Sequence, residues 1–367
     1  MKTLTVFGTR PEAIKMCPLV LALEKDPSIE SVVCVTGQHR EMLDQVLSIF
    51  NVKTDYDLNI MKPRQTLGTI TSSIIEQLEP VIKEVRPDVV LVHGDTTTSM
   101  ASALAAFYQK VPVGHVEAGL RTYDIYSPFP EEMNRKIISA ISTLHFAPTK
   151  RNKEALEKES VRESVFVTGN TVIDAFQYTT EDHYVFENEI LRGYQFGDST
   201  ILMTAHRREN LGKPLEHICE AVLELCDMHP ELQVVYPVHL NPAVRETVFG
   251  KLGGCDQVTL IDPIDVKDMH NAMMRSKLVL TDSGGLQEEA PHLGKPVVVL
   301  RTETERPEAV AAGTAVVAGV EKESIVRTVN DILTDKDKYT AMSEAINPYG
   351  DGKASQRIVA ALKTFFL

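Results

Sequence analysis

Two stretches of the sequence each set an imidazole and a carboxylate two residues apart, His93-Gly94-Asp95 and His115-Val116-Glu117. On an extended chain, residues i and i+2 share a face, so each stretch presents a ring nitrogen and a carboxylate together. Such pairs transfer protons, or with three or four donors in all they hold a metal. Asp95 also has a structural alternative. Asp95-Thr96-Thr97-Thr98 precedes the helical run Ser99–Phe107, where an acid caps a helix. Both readings stand at this point. Glu117 ends an apolar run beside Gly119, where an unpaired acid would be costly, so it needs a partner or a chemical role. A helix is expected to begin near Pro130, with Glu131 and Arg135 on one face at i, i+4, either as a surface ion pair or as part of the same site. Three carboxylates, Asp95, Glu117 and Glu131, around one arginine are a means of pushing pKa values apart for acid and base roles.

The basic residues also follow predicted strands. Phe7 leads into Gly8-Thr9-Arg10-Pro11-Glu12-Ala13-Ile14-Lys15, a glycine turn and a helix start carrying Arg10 and Lys15, where acids are the usual choice. That points to a bound anion. The stretch lacks the G-x-G-x-x-G that a dinucleotide pyrophosphate needs for close approach, so NAD is disfavoured. Farther on, Thr200–Thr204 runs into Ala205-His206-Arg207-Arg208, a local concentration of positive charge suited to phosphate. Leu278–Thr281 then enters Asp282-Ser283-Gly284-Gly285-Leu286-Gln287-Glu288-Glu289. Here the N–H groups of Ser283, Gly284 and Gly285 are expected to face a diphosphate, and Glu288 or Glu289 to take ribose hydroxyls. A polar loop, Arg301 to Glu308, lies at the same sheet edge.

The elements that position these residues are short β-branched runs alternating with longer amphipathic segments, which predicts an α/β fold with parallel sheets. Strands are expected at Thr3–Phe7, Ser31–Thr36, Asp88–His93, Val111–Val116, Leu144–Ala147 and Val165–Thr168, then at Thr200–Thr204, Gln233–Pro237, Val258–Ile261, Leu278–Thr281, Pro296–Leu300 and Thr314–Val317. The 367 residues suit two domains, with the hinge in or just before the acidic, aromatic segment Tyr178–Asp198. Residues 1–172 and 173–352 are the expected units, and two sheets facing each other would bind a ligand in an interdomain cleft. With 38 Lys and Arg against 51 Asp and Glu, the net charge of −13 argues against nucleic acid as a partner. No apolar run approaches the roughly 20 residues that span a bilayer, and the opening residues lack a signal peptide's features, which predicts the cytoplasm. Five widely spaced cysteines without a C-x-x-C suggest buried thiols rather than disulfides or a zinc site.

Taken in order, these motifs resemble the bacterial non-hydrolysing UDP-N-acetylglucosamine 2-epimerases. The resemblance runs from Thr5 to about Ser355 and rests on Phe7 to Glu12, Val92 to Thr96, His115 to Arg121, Pro130 to Arg135, Thr168 to Thr171, His206 to Asn210, Asp282 to Glu289 and Thr304 to Glu308. It implies two Rossmann-like domains arranged as in glycosyltransferases of type B, a homodimer, and a helix at 353–367 returning to the first domain. It further implies interconversion of UDP-GlcNAc and UDP-ManNAc without NAD or metal, supplying ManNAc for cell-surface polysaccharide. Carried over, Asp95, Glu117 and Glu131 are the acid/base carboxylates, with His206 beside them. Arg10, Lys15, Arg135, Ser283, Gly284, Gly285, Glu289 and Arg306 bind the substrate, and Gln38, Arg64, Gln65, Arg207 and His239 form an activating UDP-GlcNAc site. The sequence departs from the pattern at Glu41, where some members have Gln, and at Thr302-Glu303 before the Thr304-Glu305-Arg306 loop.

The chemistry accords with a missing dinucleotide. The C2 proton of a closed sugar ring is not next to a carbonyl, so the C1–O bond must weaken first. Departure of UDP makes C1 oxocarbenium-like and acidifies C2–H, a carboxylate removes that proton to give 2-acetamidoglucal, and return of UDP and of a proton to the other face gives the epimer. Rival readings are a hydrolysing epimerase releasing free ManNAc, a glycosyltransferase of the same fold, and a catalytically idle nucleotide-sugar sensor.

Overall fold

A computed structural model describes the chain apart from Gln38, His39, Pro63, Arg162 and Glu163, and apart from the side chains of Arg40 and Glu41. The chain divides into two units, Met1–Tyr178 together with Tyr349–Leu367, and Thr179–Pro348. The boundary expected at 172/173 falls inside the helix Thr171–Thr179. That helix buries Val172, Ile173, Ala175 and Phe176, and so it belongs with the first unit.

The first unit is built on seven strands, β1 (Lys2–Phe7), β2 (Glu30–Val35), β3 (Tyr56–Asp57), β4 (Val89–His93), β5 (Val113–Val116), β6 (Leu144–Ala147) and β7 (Val165–Val167). Their order is β3-β2-β1-β4-β5-β6-β7, with every pair parallel. Helices cover both faces, which is why strands such as β4 read as continuous apolar runs. Along β4 the side chains alternate. Val89 and Leu91 join the core beneath the helix Arg10–Glu24, while Val90 and Val92 join the core on the other face. The last helix, Ala354–Phe366, packs Ile358 and Leu362 into the same core as Phe7, Met16, Leu19 and Val20.

The second unit carries β8 (Thr200–Thr204), β9 (Gln233–Pro237), β10 (Val258–Ile261), β11 (Leu278–Thr281), β12 (Val297–Val299) and β13 (Ala315–Val317). They are all parallel, in the order β10-β9-β8-β11-β12-β13. Every strand expected from the sequence is present within a residue or two, and β3 is additional. The segment after Tyr178 has only the short helix Glu189–Gly193, and the rings of Tyr184, Phe186, Tyr194 and Phe196 pack upon one another. Of the five cysteines, none in a disulfide, Cys255 is half-buried and the rest are buried. Among the described residues no helix is long and apolar enough to cross a membrane.

In each sheet the strand order reverses once, between β1 and β4 and between β8 and β11. Open parallel sheets bind ligands outside the carboxyl ends of their strands at such a reversal. The loops that leave these four strands begin at Gly8, Gly94, Ala205 and Asp282 and carry Arg10, Asp95, His206, Arg207 and the Ser283-Gly284-Gly285 turn, while Glu117 and Glu131 follow β5 and Arg306 follows β12.

Candidate active site

In the first unit the turn after β1 is fixed by a capping box. The Thr9 hydroxyl accepts from the N–H of Glu12, and Glu12 Oε2 accepts from the N–H groups of Gly8 and Thr9 at 2.9 and 2.8 Å. Glu12 Oε1 accepts from the Thr96 hydroxyl at 2.6 Å, so one buried carboxylate ties the loop after β1 to the loop after β4. Arg10 and Lys15 thereby start the helix Arg10–Glu24 at a fixed place over the strand ends.

Glu117 stands just past β5 with φ of 63°, buried, on the turn that brings its side chain back over β4. It is paired with the Lys15 ammonium. Asn170 Nδ2 donates to its Oε2 at 2.9 Å, and His93 Nε2 lies 3.4 Å from the same oxygen. Burial works to raise the Glu117 pKa, but Lys15 and His93 outweigh it and hold the carboxyl well below the usual carboxylate range. The buried acid that the sequence left wanting a partner has three.

Asp95 is not the helix cap. Thr96 takes that place, its hydroxyl accepting from Ser99 N at 3.0 Å, and the helix runs Thr97–Tyr108. The Asp95 carboxylate is thereby released to Arg135, whose Nε and Nη2 both donate to Oδ2, at 2.9 and 2.5 Å. The expected pair of Glu131 with Arg135 also gives way. Arg135 Nη1 donates instead to Glu132 at i, i+3, at 3.1 Å. Glu132 is fully buried and accepts as well from the N–H groups of Thr122 and Tyr123, each at 3.0 Å. Glu131 is left with a buried Oε2 that has no hydrogen-bond partner among the described residues. Three acids on neighbouring loops thus have three settings: Glu117 paired with an ammonium, Asp95 with a guanidinium, and Glu131 with an oxygen to spare.

The metal reading of the two His-carboxylate pairs does not assemble. His115 is wholly buried and its Nε2 meets Gly94 O at 2.7 Å, and burial pushes its pKa down to about 3, while Asp95 is bound to Arg135. Among the described residues no cluster of three or more His, Cys, Asp or Glu side chains is spaced to hold a metal ion.

In the second unit, the register of Thr204 against Thr281 brings the loops after β8 and β11 side by side. The N–H groups of His206 and Arg207 both donate to Asp282 Oδ2 at 2.7 Å. His206 stacks on His239, with centroids 5.1 Å apart and planes 9° apart. Burial lowers the His206 pKa, opposed by Asp282 and reinforced by His239 and Arg207. The helix Gly284–Glu289 starts immediately beyond. A side chain at Gly284 would meet Arg207 Nη2 at 3.7 Å and Arg306 Nη2 at 3.8 Å, so two guanidiniums flank the start of this helix and the glycine keeps the space open. Of the three N–H groups expected to face a diphosphate, that of Ser283 is taken, donating to Thr281 Oγ1 at 2.9 Å. Those of Gly284 and Gly285 open the helix, where N–H groups have no intrahelical acceptor. Glu288 is buried and paired with Arg306, and Glu289 Oε2 lies 3.4 Å from His270 Nε2.

The residues assigned to an activator are divided between the units. Arg64 is exposed at φ of 56°, Gln65 Nε2 donates to Ile60 O at 2.6 Å, and Gln38 lies outside the described residues. Of the other two, His239 stacks on His206 and Arg207 lies beside Gly284. Asp282, Glu132, Glu12 and Asn170 were not singled out from the sequence. Asp282, an acid directly after a strand and before a glycine turn, and Glu12, three residues after Thr9 in a capping-box spacing, each carried a local signal. A cavity of about 510 Å³ opens between the first and last helices, bordered by Lys25, Asp26, Tyr178 and Lys363. Asp26 and Ser28 lead into the start of β2, so this cavity lies at the amino ends of the strands, away from the acids.

The fold is an α/β one of two parallel-sheet units, the first with carboxylates and the second with His206, Arg207 and a glycine turn just beyond its strand ends. A family model described as UDP-N-acetylglucosamine 2-epimerase matches residues 21–363. The UDP-N-acetylglucosamine 2-epimerases of Bacillus subtilis and Escherichia coli K12 are 57% and 55% identical to the chain, each over 99% of it and over 95% and 98% of their own lengths. The Neisseria meningitidis enzyme, solved bound to UDP-GlcNAc, superposes with a TM-score of 0.91 at 51% identity, over 99% of this chain and 100% of that one. The Methanocaldococcus jannaschii enzyme, solved with UDP-GlcNAc and UDP, gives 0.81 at 35% identity, over 99% and 100%. The chain belongs to the UDP-N-acetylglucosamine 2-epimerase family.

Proposed function

We propose that the protein interconverts UDP-GlcNAc and UDP-ManNAc by eliminating UDP across C1 and C2 and adding it back to the 2-acetamidoglucal. The observation that carries this reading is the set of three carboxylates in three different settings at the carboxyl ends of one sheet, Asp95 on Arg135, Glu117 on Lys15 and Glu131 with a buried, unpartnered oxygen. A route that removes the C2 proton from one face and returns one to the other needs acid/base groups that differ in proton affinity. Glu117, held ionised, enters the cycle as a carboxylate. Glu131 Oε2 has no hydrogen bond to break before it takes up or gives a proton. As the C1–O bond breaks, its electron pair stays on the diphosphate oxygen. Arg306, Arg10, His206 and the N–H groups of Gly284 and Gly285 are the groups we assign to meet that charge. The relatives' complexes with UDP-GlcNAc and UDP support the choice of ligand. The product would supply ManNAc for cell-surface polysaccharide.

The test is incubation of the purified protein with UDP-GlcNAc alone, with excess EDTA and no NAD, with products read by NMR. UDP-ManNAc is the expected product. Free ManNAc as the sole product would establish the hydrolysing reaction, and activity lost in EDTA and restored by a divalent ion would establish a metal enzyme. We further propose that a second UDP-GlcNAc, held by Gln38, Arg64, Gln65, Arg207 and His239, activates the reverse reaction. A time course from pure UDP-ManNAc should then show a lag that a trace of UDP-GlcNAc removes.

A further inference from the structure

The carboxylate of Asp282 is fully buried, and its two oxygens are used unequally. Oδ2 accepts three hydrogen bonds, from the N–H groups of His206 and Arg207 at 2.7 Å and from Asn210 Nδ2 at 3.0 Å. Oδ1 is buried and accepts none, although an anionic oxygen out of water without a donor is expensive. The nearest nitrogen of an imidazole is His206 Nδ1, 3.7 Å away. That separation exceeds a hydrogen bond by only about half an ångström, and the bond from the His206 backbone N–H to Oδ2 holds the two residues side by side.

We infer that Asp282 is the positioning residue for His206, fixing the imidazole as the Nδ1–H tautomer and favouring a proton on the ring. An Nδ1 lone pair set against a carboxylate lone pair would repel, so the proton of a neutral ring belongs on Nδ1, which leaves Nε2 as the free nitrogen. Once the ring is protonated, Nε2–H becomes a donor while Asp282 stabilises the cation. The other groups around the ring act in the opposite sense. His239 stacked on one face and the neighbouring Arg207 both disfavour the imidazolium, as does burial, so Asp282 is the group that counters them. The inference rests on the reading of His206 as a diphosphate ligand for its consequence, since a protonated Nε2 would donate to the leaving diphosphate oxygen. It does not rest on it for the tautomer.

The test is nitrogen-15 long-range NMR of the full chain labelled on histidine, with the His206 signals assigned from His206→Gln. In the wild-type protein His206 should show the Nδ1–H pattern. In Asp282→Asn the amide oxygen can keep the three N–H bonds while its NH2 group faces Nδ1. The ring should then invert to Nε2–H, and its titration midpoint should fall by about one pH unit or more. The alkaline limb of the kcat profile should move down by the same amount, with KM changed less than kcat. An Nε2–H tautomer in the wild-type protein overturns the inference even if the variant does not fold, and so does a tautomer and midpoint unchanged in a folded Asp282→Asn. If the NMR changes appear while the pH–rate profile stays in place, the positioning role holds and the diphosphate role of His206 falls.

Discussion

Asp95, Glu117 and Glu131 share a charge and a sheet edge, but their surroundings give each substitution a separate signature. Glu117→Gln leaves the Lys15 ammonium facing a neutral amide in a buried site, and removing one member of such a pair costs about 3 kcal/mol. Glu131→Gln breaks no bond at Oε2 and should leave stability within about 0.5 kcal/mol of wild type. Asp95→Asn, Glu117→Gln and Glu131→Gln should nonetheless each lower kcat at least roughly a hundredfold, measured beside urea unfolding of the same samples. Near-normal turnover in any of the three would remove that residue from the chemistry. A second prediction concerns His115, whose pKa burial pushes down to about 3 from an ordinary 6.5. The folded protein keeps this ring neutral while the unfolded chain protonates, so its contribution is complete above about pH 6.5. Stability should then fall as pH drops toward 3, by about 1.4 kcal/mol per pH unit for this one ring. His145, also buried and shifted down, adds to the slope. Urea midpoints between pH 7.5 and 5 should show the fall, and His115→Gln should reduce its steepness. An unchanged slope would place the proton uptake elsewhere.

At the scale of elements, the strands were legible because buried parallel strands are short apolar runs closed by glycine or a polar turn, as Val89–His93 followed by Gly94 illustrates. What the sequence left open was which polar residue at a strand end does which job. Asp95 and Thr96 are both good caps, and the choice fell to Thr96 because Arg135, forty residues away, takes Asp95. The pairing of Arg135 with Glu132 rather than Glu131 has the same origin. Glu132 is drawn inward by the N–H groups of Thr122 and Tyr123, a contact set by the loop after β5 and invisible to i, i+4 counting. The two-residue strand β3 is too short to leave a periodic signal. The helix Ala354–Phe366 has an amphipathic pattern that does not name its packing partner, which the family resemblance supplied as the first unit. It is capped by Asp174, which accepts from Ala354 N and Ser355 N at 3.0 and 2.7 Å. Its Ile358 and Leu362 are fully buried in the first unit's core. Burying each such side chain is worth about 1.5–3 kcal/mol, so deletion of residues 353–367 should cost several kcal/mol. Hydrogen exchange should show the loss in β1 and the helix Arg10–Glu24, with β8 and β11 keeping their protection. Loss spread evenly over both units would mean that they do not unfold separately.

At the scale of the molecule, the acids and the glycine turn fall on different sheets. Asp95 follows β4 and Glu117 and Glu131 follow β5 in the first unit, while His206 and Arg207 follow β8 and the glycine turn follows β11 in the second. In a chain with a net charge of −13, Lys15 and Arg135 are committed to carboxylates, and Arg306 is shared between Glu288 and the edge of Gly284. Carboxylates in different settings on one sheet form a set that suits the proposed removal of a C2 proton from one face and return of one to the other. It gives no reason for the removed proton to be the one returned. If one carboxylate takes the proton from one face and another group supplies a proton to the opposite face, the incoming proton derives from a group that exchanges with water. In D2O, each turnover should then place deuterium at C2 of the product, and over time the UDP-GlcNAc pool should gain it through the reverse reaction. Mass spectra taken before and after equilibrium would read both, and the exchange should vanish together with turnover in Glu131→Gln if that residue is one of the two. Internal transfer of hydrogen between the faces predicts the reverse, an epimer that keeps its original C2 hydrogen at full equilibrium, and that result would exclude an acid and a base acting separately.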